Sequence, residues 1–329
     1  MHTFIRDLKE GKKIDGVYLV REKSFNTTKK GSFYIFLQLS DRTGMVKANK
    51  WDASKESFDS FEVDDFVKIS GTVETFKGFP QLKIDAIKKV PEKDLDLSLF
   101  VPSTDKNRND MFNALISEIS HINNPYLKTL LNNIFSNTSI ADEFKKAPAA
   151  TDFHHSYLGG LLEHTLSCVE LAKMLFSMYP GINRDLLICG AIVHDIGKIE
   201  ELSYSRSFYY TDKGRLVGHL VLGINMVEKE IDKVPDFPGE LKNLILHIIL
   251  SHHGEHEWGS PKRPMSLEAV VMHHIDNLDA KIVGFNHFAE TYSENSSNWT
   301  RHSKMFKEFL YKKSMPVYKD SELLEKDWV

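Results

Sequence analysis

The sequence predicts a multidomain β + α protein, a small N-terminal β-barrel followed by an all-α domain. Three observations carry this. Through the first 90 residues apolar and polar side chains partly alternate in short runs. From about Asn107 the apolar spacing changes to steps of three and four. Twelve of the fifteen histidines then fall between His154 and His287, inside the helical part.

Five runs read as strands: residues 14–20, 33–39, 45–50, 66–75 and 81–88. In the second, Phe33, Ile35, Leu37 and Leu39 share one face, and Tyr34 and Phe36 the other. Thr43-Gly44 and Lys77-Gly78 punctuate hairpins. Five short strands with this spacing suit a closed or partly closed barrel of the OB-fold type over residues 1–90.

Residues 91–106 are charged and bracketed by Pro91 and Pro102, as a linker would be. Helical spacing then runs through Met111, Leu115 and Ile119, through Tyr126, Leu130 and Ile134, and through residues 158–176, 185–194, 216–231, 241–252 and 267–285. Residues 299–313 read as a basic, aromatic-bearing terminal helix that closes a domain spanning 107–313, and residues 314–329 as a tail.

The composition, 41% apolar and 27% charged, supports packed cores and argues against disorder. Residues 1–90 carry 17 Lys and Arg against 13 Asp and Glu, so the net charge of −4 divides into +4 in front and −8 behind. A cationic front module suits a polyanion, and an acidic remainder suits metal ions. Cys168 and Cys189 sit in apolar helical patterns and read as buried free thiols, not as a disulfide or a zinc–thiolate site. The densest apolar run, residues 244–250 with His247 inside it, is too short to span a bilayer, and the first residues are polar. The expectation is a cytoplasmic protein with no membrane partner.

The histidines concentrate into recognisable strings: His164 in GGLLEHT, His194-Asp195 in HDIGK, His219 in GHL, His252-His253 in SHHG, and Asp276 in HHIDNLDAK. Imidazole and carboxylate without thiolate is the donor set of transition-metal sites with open positions, not of structural zinc. Gly197 stands where a helix C-cap would fall, which puts His194-Asp195 at a negative helix end that favours a cation. A carboxylate beside Leu187, Ala191 and Ile192 is costly to bury unless a cation compensates it. A single histidine on a helix is usually structural, and His247, His256, His273, His274 and His287 read that way.

The order H…HD…H…HH…D resembles the HD superfamily of metal-dependent phosphohydrolases. More narrowly, APAATDFHHSYLGGLLEHTLS followed by AIVHDIGK, behind a strand-rich module, resembles the YhaM-type 3′→5′ exoribonucleases, which join an OB-fold to an HD domain. The resemblance implies that His164, His194, Asp195 and Asp276 hold one divalent metal and that Asp195, His219, His252 and His253 hold a second, with Asp195 bridging. One or two ions are implied, manganese favoured, with cobalt, iron and nickel as alternatives. Lys198, one turn beyond Asp195, would contact the scissile phosphate. His154 and His155 belong to the family-like stretch and are either phosphate contacts or structural. Gly159-Gly160 would permit a tight approach of the chain, and Asp279 would stand behind the ligands or serve as a cap partner. The implied chemistry is phosphodiester hydrolysis by a metal-activated water, without a covalent intermediate.

Single-strand binding needs cationic groups and aromatic faces on which bases stack. Lys47, Lys50, Trp51, Lys77 and Phe79 are the candidate substrate contacts, Trp51 and the Lys77–Phe79 hairpin standing out because they lie at strand ends beside lysines. Tyr34, Phe36, Phe76, Lys29 and Lys30 lie nearby, and some of these aromatics will be barrel core instead. The implied partner is single-stranded RNA, with single-stranded DNA as a second candidate, and the barrel and the basic C-terminal segment leave room for a homo-oligomer. Two other readings stay open: an HD phosphohydrolase of free nucleotides, and a nucleic-acid-binding protein with a secondary HD site. The first has no use for a strand-binding barrel. The second has no need of so full a ligand set.

Overall fold

The computed structural model describes residues 2–28, 31–76, 79–151, 155–204, 208–291 and 298–312. Lys29, Lys30, Lys77, His154, Lys313 and the tail 314–329, singled out in the sequence, lie outside the described residues.

The front module is a closed barrel of order β1-β2-β3-β5-β4, with β1 Lys13–Thr27, β2 Phe33–Asp41, β3 Gly44–Trp51, β4 Phe66–Phe76 and β5 Phe79–Val90. β1 pairs with both β2 and β4 and is irregular between Val20 and Glu22, which lets one long strand bend around the barrel. A short parallel match of Lys47–Asn49 to Gln81–Lys83 closes it. Ile35, Leu37 and Leu39 are fully buried, as their alternation predicts. Phe33 departs from that face: it begins the strand, is half exposed, and stacks on Phe25 at 5.2 Å. A short helix, α1 (Lys55–Asp59), joins β3 to β4 and is capped by the Ser54 hydroxyl.

The stretch after the barrel is packed, not loose. It makes two 3₁₀ turns, Glu92–Asp94 and Leu97–Leu99. Phe100 is buried against Leu19 and Phe66 of the barrel. The Arg42 amide donates to the Leu99 carbonyl, and Ser103 bridges to Leu158. Apolar residues at 95, 97, 99, 100 and 101 were the available sign of this docking.

The helical part comprises α2 Arg108–Ser120, α3 Pro125–Ser136, α4 Thr138–Lys146, α5 Gly160–Met178, α6 Arg184–Val193, α7 Lys198–Glu201, α8 Asp212–Val217, α9 His219–Ile231, α10 Gly239–Ser251 and α11 Leu267–Thr291. Asn107, Asn124, Asn137 and Asn183 start α2, α3, α4 and α6 by accepting backbone N–H groups with their side chains. One apolar cluster, including Leu115, Leu131, Val169, Ile192, Ile248 and Met272, joins α2, α3, α5, α6, α10 and α11. A two-stranded ribbon, β6 Leu202–Ser203 and β7 Tyr209–Tyr210, lies between α7 and α8.

The terminal helix expected over 299–313 is instead a hairpin, β8 Trp299–Ser303 and β9 Glu308–Tyr311. Trp299, Thr300, Phe309 and Tyr311 are strand formers whose period of two outweighs the lysine content that suggested a helix. Lys307, at φ +57°, completes the turn.

Candidate metal centre

Three helix ends and two helix interiors converge on one buried volume. His164 comes from the first turns of α5, and His194 caps the C-terminus of α6 with Asp195 directly after it. His219 opens α9, His252 caps α10 with His253 following, and Asp276 and Asp279 lie one turn apart on α11. Gly197 differs from its expected role. Its φ is an ordinary −63°, and His194 is itself the cap. Glycine is required at 197 because a Cβ there would overlap the carbonyl of His219. That contact brings α9 against the His194-Asp195 corner. Gly159, at φ +82°, and Gly160, packed on the His155 backbone, do permit the tight approach expected of them.

His164, His194, Asp195 and Asp276 form one group. His164 Nε2 lies 3.2 Å from His194 Nε2, 3.2 Å from Asp276 Oδ1 and 3.7 Å from Asp195 Oδ2. His194 Nε2 is 3.4 Å from Asp195 Oδ2. The other carboxylate oxygen, Asp195 Oδ1, faces a second group: His252 Nε2 at 3.5 Å and His219 Nε2 at 3.6 Å. His253 joins His219 and His252 there. The two groups share Asp195.

The ring orientations are set from behind. The Nδ1 atoms of His194, His252 and His253 donate to the carbonyls of Ala191, Ile249 and Trp258 at 2.9, 2.9 and 3.0 Å. A carbonyl only accepts, so these rings carry their proton on Nδ1 when neutral and turn the Nε2 lone pair into the site. Glu201 accepts from His219 Nδ1 at 2.9 Å, and Asp279 from His164 Nδ1 at 2.7 Å. Five imidazoles therefore present Nε2 to one volume.

This donor set fits divalent metal. Asp195 Oδ1 and His219 Nε2 are buried and make no hydrogen bond, and an acceptor left so is costly unless a cation satisfies it. Burial would raise the Asp195 and Asp276 pKa values, but Lys198 and His194 around the first and His164 and His252 around the second hold both well below the usual carboxylate range. Burial lowers His253 to about 3 and lowers His252 as well, so both are neutral donors at physiological pH. For His164 burial opposes the imidazolium, but hydrogen bonds to the Asp276 and Asp279 carboxylates and to the Cys168 sulfur outweigh it and push the value well up: the position favours positive charge, proton or metal. Cys168, next to His164, is pushed by burial to about 11 and stays a thiol, in line with a nitrogen and oxygen donor set.

Lys198 Nζ donates to Asp195 Oδ2 at 2.5 Å. Burial would lower its pKa, but Asp195 and Asp276 raise it, so it remains an ammonium at the cluster's edge. His155, a candidate phosphate contact, is held behind the cluster instead. It is buried, with Nδ1 on the Tyr157 hydroxyl at 2.8 Å and Nε2 on Asp279 Oδ2 at 2.9 Å. Asp279 thus joins two histidines, as its position one turn after Asp276 suggested. The Glu201 contact to His219 was not read from the sequence; the acidic pair directly after HDIGK was the available signal.

On the barrel, Lys47 and Trp51 are exposed on the outward face of β3, and Tyr34 lies 4.9 Å from the Trp51 ring. Phe79 is 75% exposed and pairs across the strand with exposed Phe76. Lys50 differs from the free contact expected: it shares the strand parity of buried Val46 and Ala48, and its ammonium donates to the Asp85 carbonyl at 2.9 Å.

Residues 161–281, which contain every one of the clustered donors, match the HD domain family, and residues 19–90 match the OB-fold nucleic acid binding domain family. Residues 99–179 also match a family described as a putative helicase. Over 273 residues the chain is 36% identical to the 3′-5′ exoribonuclease YhaM of Geobacillus sp. (strain WCH70), across 83% of each protein. The chain belongs to the YhaM 3′-5′ exoribonuclease family. In this YhaM-family chain the OB-fold match spans β2–β5 with the end of β1, and the HD match spans α5–α10 and much of α11. Solved structures with partial likeness include the second OB-fold domain of replication protein A from Methanococcus maripaludis (22% identity, 27% of this chain and 95% of that one, TM-score 0.22). A replication protein A heterotrimer bound to ssDNA gives 20% identity over 28% and 68%, with the same score of 0.22.

Proposed function

We propose that the chain is a metal-dependent 3′→5′ exoribonuclease that hydrolyses single-stranded RNA to nucleoside 5′-monophosphates. The observation that carries this is the pair of donor groups meeting on the two oxygens of Asp195, with Asp195 Oδ1 and His219 Nε2 buried and lacking hydrogen bonds. His164, His194, Asp195 and Asp276 would hold one ion, and Asp195, His219, His252 and His253 the second. When bound, such ions activate water near neutral pH and neutralise phosphoryl charge. The chain's own residues do the rest. Glu201 and Asp279, with the Ala191, Ile249 and Trp258 carbonyls, fix the five imidazoles. Lys198 brings a positive charge to the scissile phosphate. Hydrolysis breaks the P–O3′ bond, so the shortened chain keeps a 3′-hydroxyl and the phosphate leaves on the 5′ carbon of the released nucleoside.

In this reading residues 1–90 gather the strand, 107–313 cut it, and 91–106 dock one on the other. Manganese is the preferred ion because open nitrogen and oxygen sites accept it and cellular supply decides among manganese, cobalt, iron and nickel. Single-stranded DNA is a second substrate, the assembly a homo-oligomer and the compartment the cytoplasm; no described helix is long and apolar enough to cross a membrane. The deciding experiment follows 5′-labelled and 3′-labelled RNA side by side, with metal analysis of the protein. Progressive shortening of the first with early release of labelled mononucleotide from the second supports the reading. Intact RNA beside hydrolysed free nucleotide would replace it with a nucleotide phosphohydrolase.

A further inference from the structure

A cavity of about 490 Å³ opens beside the metal cluster, lined by Lys198, His253, Trp258, Asp276, Lys281 and Phe306 among others. His253 and Asp276 are shared with the donor groups. Another wall is the β8–β9 turn, through Met305, Phe306 and Lys307. That turn is clamped to α11. Lys281 Nζ donates to the Met305 carbonyl at 3.3 Å and lies 4.8 Å over the Phe306 ring, and Phe306 meets Phe285 edge-on at 5.9 Å. A Cβ at Gly284 would come 2.7 Å from Met305 Sδ, so the Met305 side chain packs directly on the α11 backbone there.

The lining has two chemistries. Trp258, 54% exposed, lies 5.9 Å from His273 and tilts 37° to it, so with Phe306 the cavity offers aromatic surface with solvent access. Lys198, Lys281 and Lys307 supply positive charge. Aromatic faces take bases and ammonium groups take phosphates, and the volume is that of a small-molecule site, not of a passage for a long strand. We propose that this cavity seats the 3′-terminal nucleotide of the substrate, its base among Trp258, His273 and Phe306 and its phosphate at Lys198. The inference rests on the exoribonuclease reading and adds a place and a chemistry for the end that is removed. Stacking carries little base identity, so the seat accepts all four bases.

The test compares adenosine 5′-monophosphate with ribose 5-phosphate, both titrated calorimetrically into the metal-loaded full chain. The wild type should prefer the nucleotide by about 5- to 150-fold, the range of one base–aromatic stack. Trp258→Ala should bring that preference close to one while leaving the affinity for ribose 5-phosphate unchanged, and Phe306→Ala should act in the same direction. Lys281→Ala should weaken ribose 5-phosphate through the lost charge and adenosine 5′-monophosphate further, through the freed Phe306. A wild type without preference, or a preference that survives both aromatic substitutions, overturns the proposal. RNA shortening by the wild type is recorded in parallel. If it is absent while the base preference responds as described, the nuclease reading fails and the nucleotide seat stands. If it is present while the preference does not respond, the seat fails and the nuclease reading stands.

Discussion

Asp195 Oδ1 and His219 Nε2 face each other across 3.6 Å, both buried and both without a hydrogen bond. Glu201 holds the His219 proton on the opposite nitrogen, so the two facing atoms are both acceptors. Their juxtaposition is stable only with positive charge between or beside them, and the structure supplies one such charge at Lys198, on the other oxygen of Asp195. Asp195→Asn should therefore cut bound metal and lower RNA hydrolysis by about 100-fold or more, the upper end of what removing groups merely behind a ligand costs. Metal analysis and initial rates check this, and oligonucleotide affinity measured on the barrel should stay as it was.

Chelation gives the thermodynamic counterpart. An ion that binds only the folded chain stabilises it by about 2.7 kcal/mol at a concentration of 100 times its Kd. Stripping the wild type should lower Tm by the corresponding increment, and readdition should restore it. In Asp195→Asn the increment should shrink toward zero. Equal metal-induced shifts in the two proteins would place the ions elsewhere.

Asp279 does not face the first donor group; it stands behind His164. One of its oxygens accepts from His164 Nδ1 at 2.7 Å and from His155 Nε2 at 2.9 Å, and burial of that carboxylate is outweighed by the two histidines, which keep it ionised. Asp279→Ala frees the His164 ring to rotate and to move its proton to Nε2. Metal affinity should fall about 10- to 100-fold. A titration of manganese into the stripped protein reads this directly, and an unchanged Kd would show that His164 is oriented by packing alone.

Which parts of this were legible in the sequence follows from what each signal encodes. The five barrel strands show because a closed sheet buries alternate residues, and Ile35, Leu37 and Leu39 obey that rule. The donor residues show because their strings sit at helix ends, where few residues fix a position. Asp279 is legible from its place one turn after Asp276, whereas Glu201 is not, since a group that orients a ligand has the same composition as any surface acid. The hairpin at Trp299–Tyr311 was misread as a helix because five lysines and arginines between 301 and 313 mask a period of two that lasts only a few residues. The face that Lys50 takes is set by strand parity, which it shares with Val46 and Ala48 and not with Trp51.

Trp51 and Lys47 test the barrel as the reader of the strand. Both lie on the outward face of β3, with Tyr34 beside Trp51. Trp51→Ala should weaken single-stranded RNA binding by about 1–3 kcal/mol, the value of one stacked base. Lys47→Ala should instead lower the slope of log affinity against log salt by roughly 0.7, one phosphate's worth on a single strand. Anisotropy titrations at several salt concentrations separate the two effects, and turnover of a saturating short substrate should change in neither variant. Loss of turnover with intact binding would move these residues out of the barrel's role.

Asp41 sets the acid limit of the barrel. Its carboxylate accepts from the Ile5 amide at 2.6 Å, the Thr43 amide at 2.7 Å and the Thr43 hydroxyl at 2.6 Å, and contacts His2 at 3.3 Å, tying the N-terminal segment to the β2–β3 turn. Burial pushes its pKa up, but His2, Thr43 and Ile5 together outweigh this and hold the folded value below the ordinary one, about 3.9. A depressed folded pKa means that the contribution is complete above the unfolded pKa and is lost as pH falls through the folded value. Asp41→Ala should cost about 1–3 kcal/mol at pH 7 by leaving buried donors unpaired. The difference between wild type and variant should hold from pH 7 to about 5 and shrink as pH drops below about 4. Urea unfolding of both proteins across that range measures it, and a difference just as large at pH 3 as at pH 7 would mean that neutral side-chain packing, not the ionised carboxylate, anchors the segment.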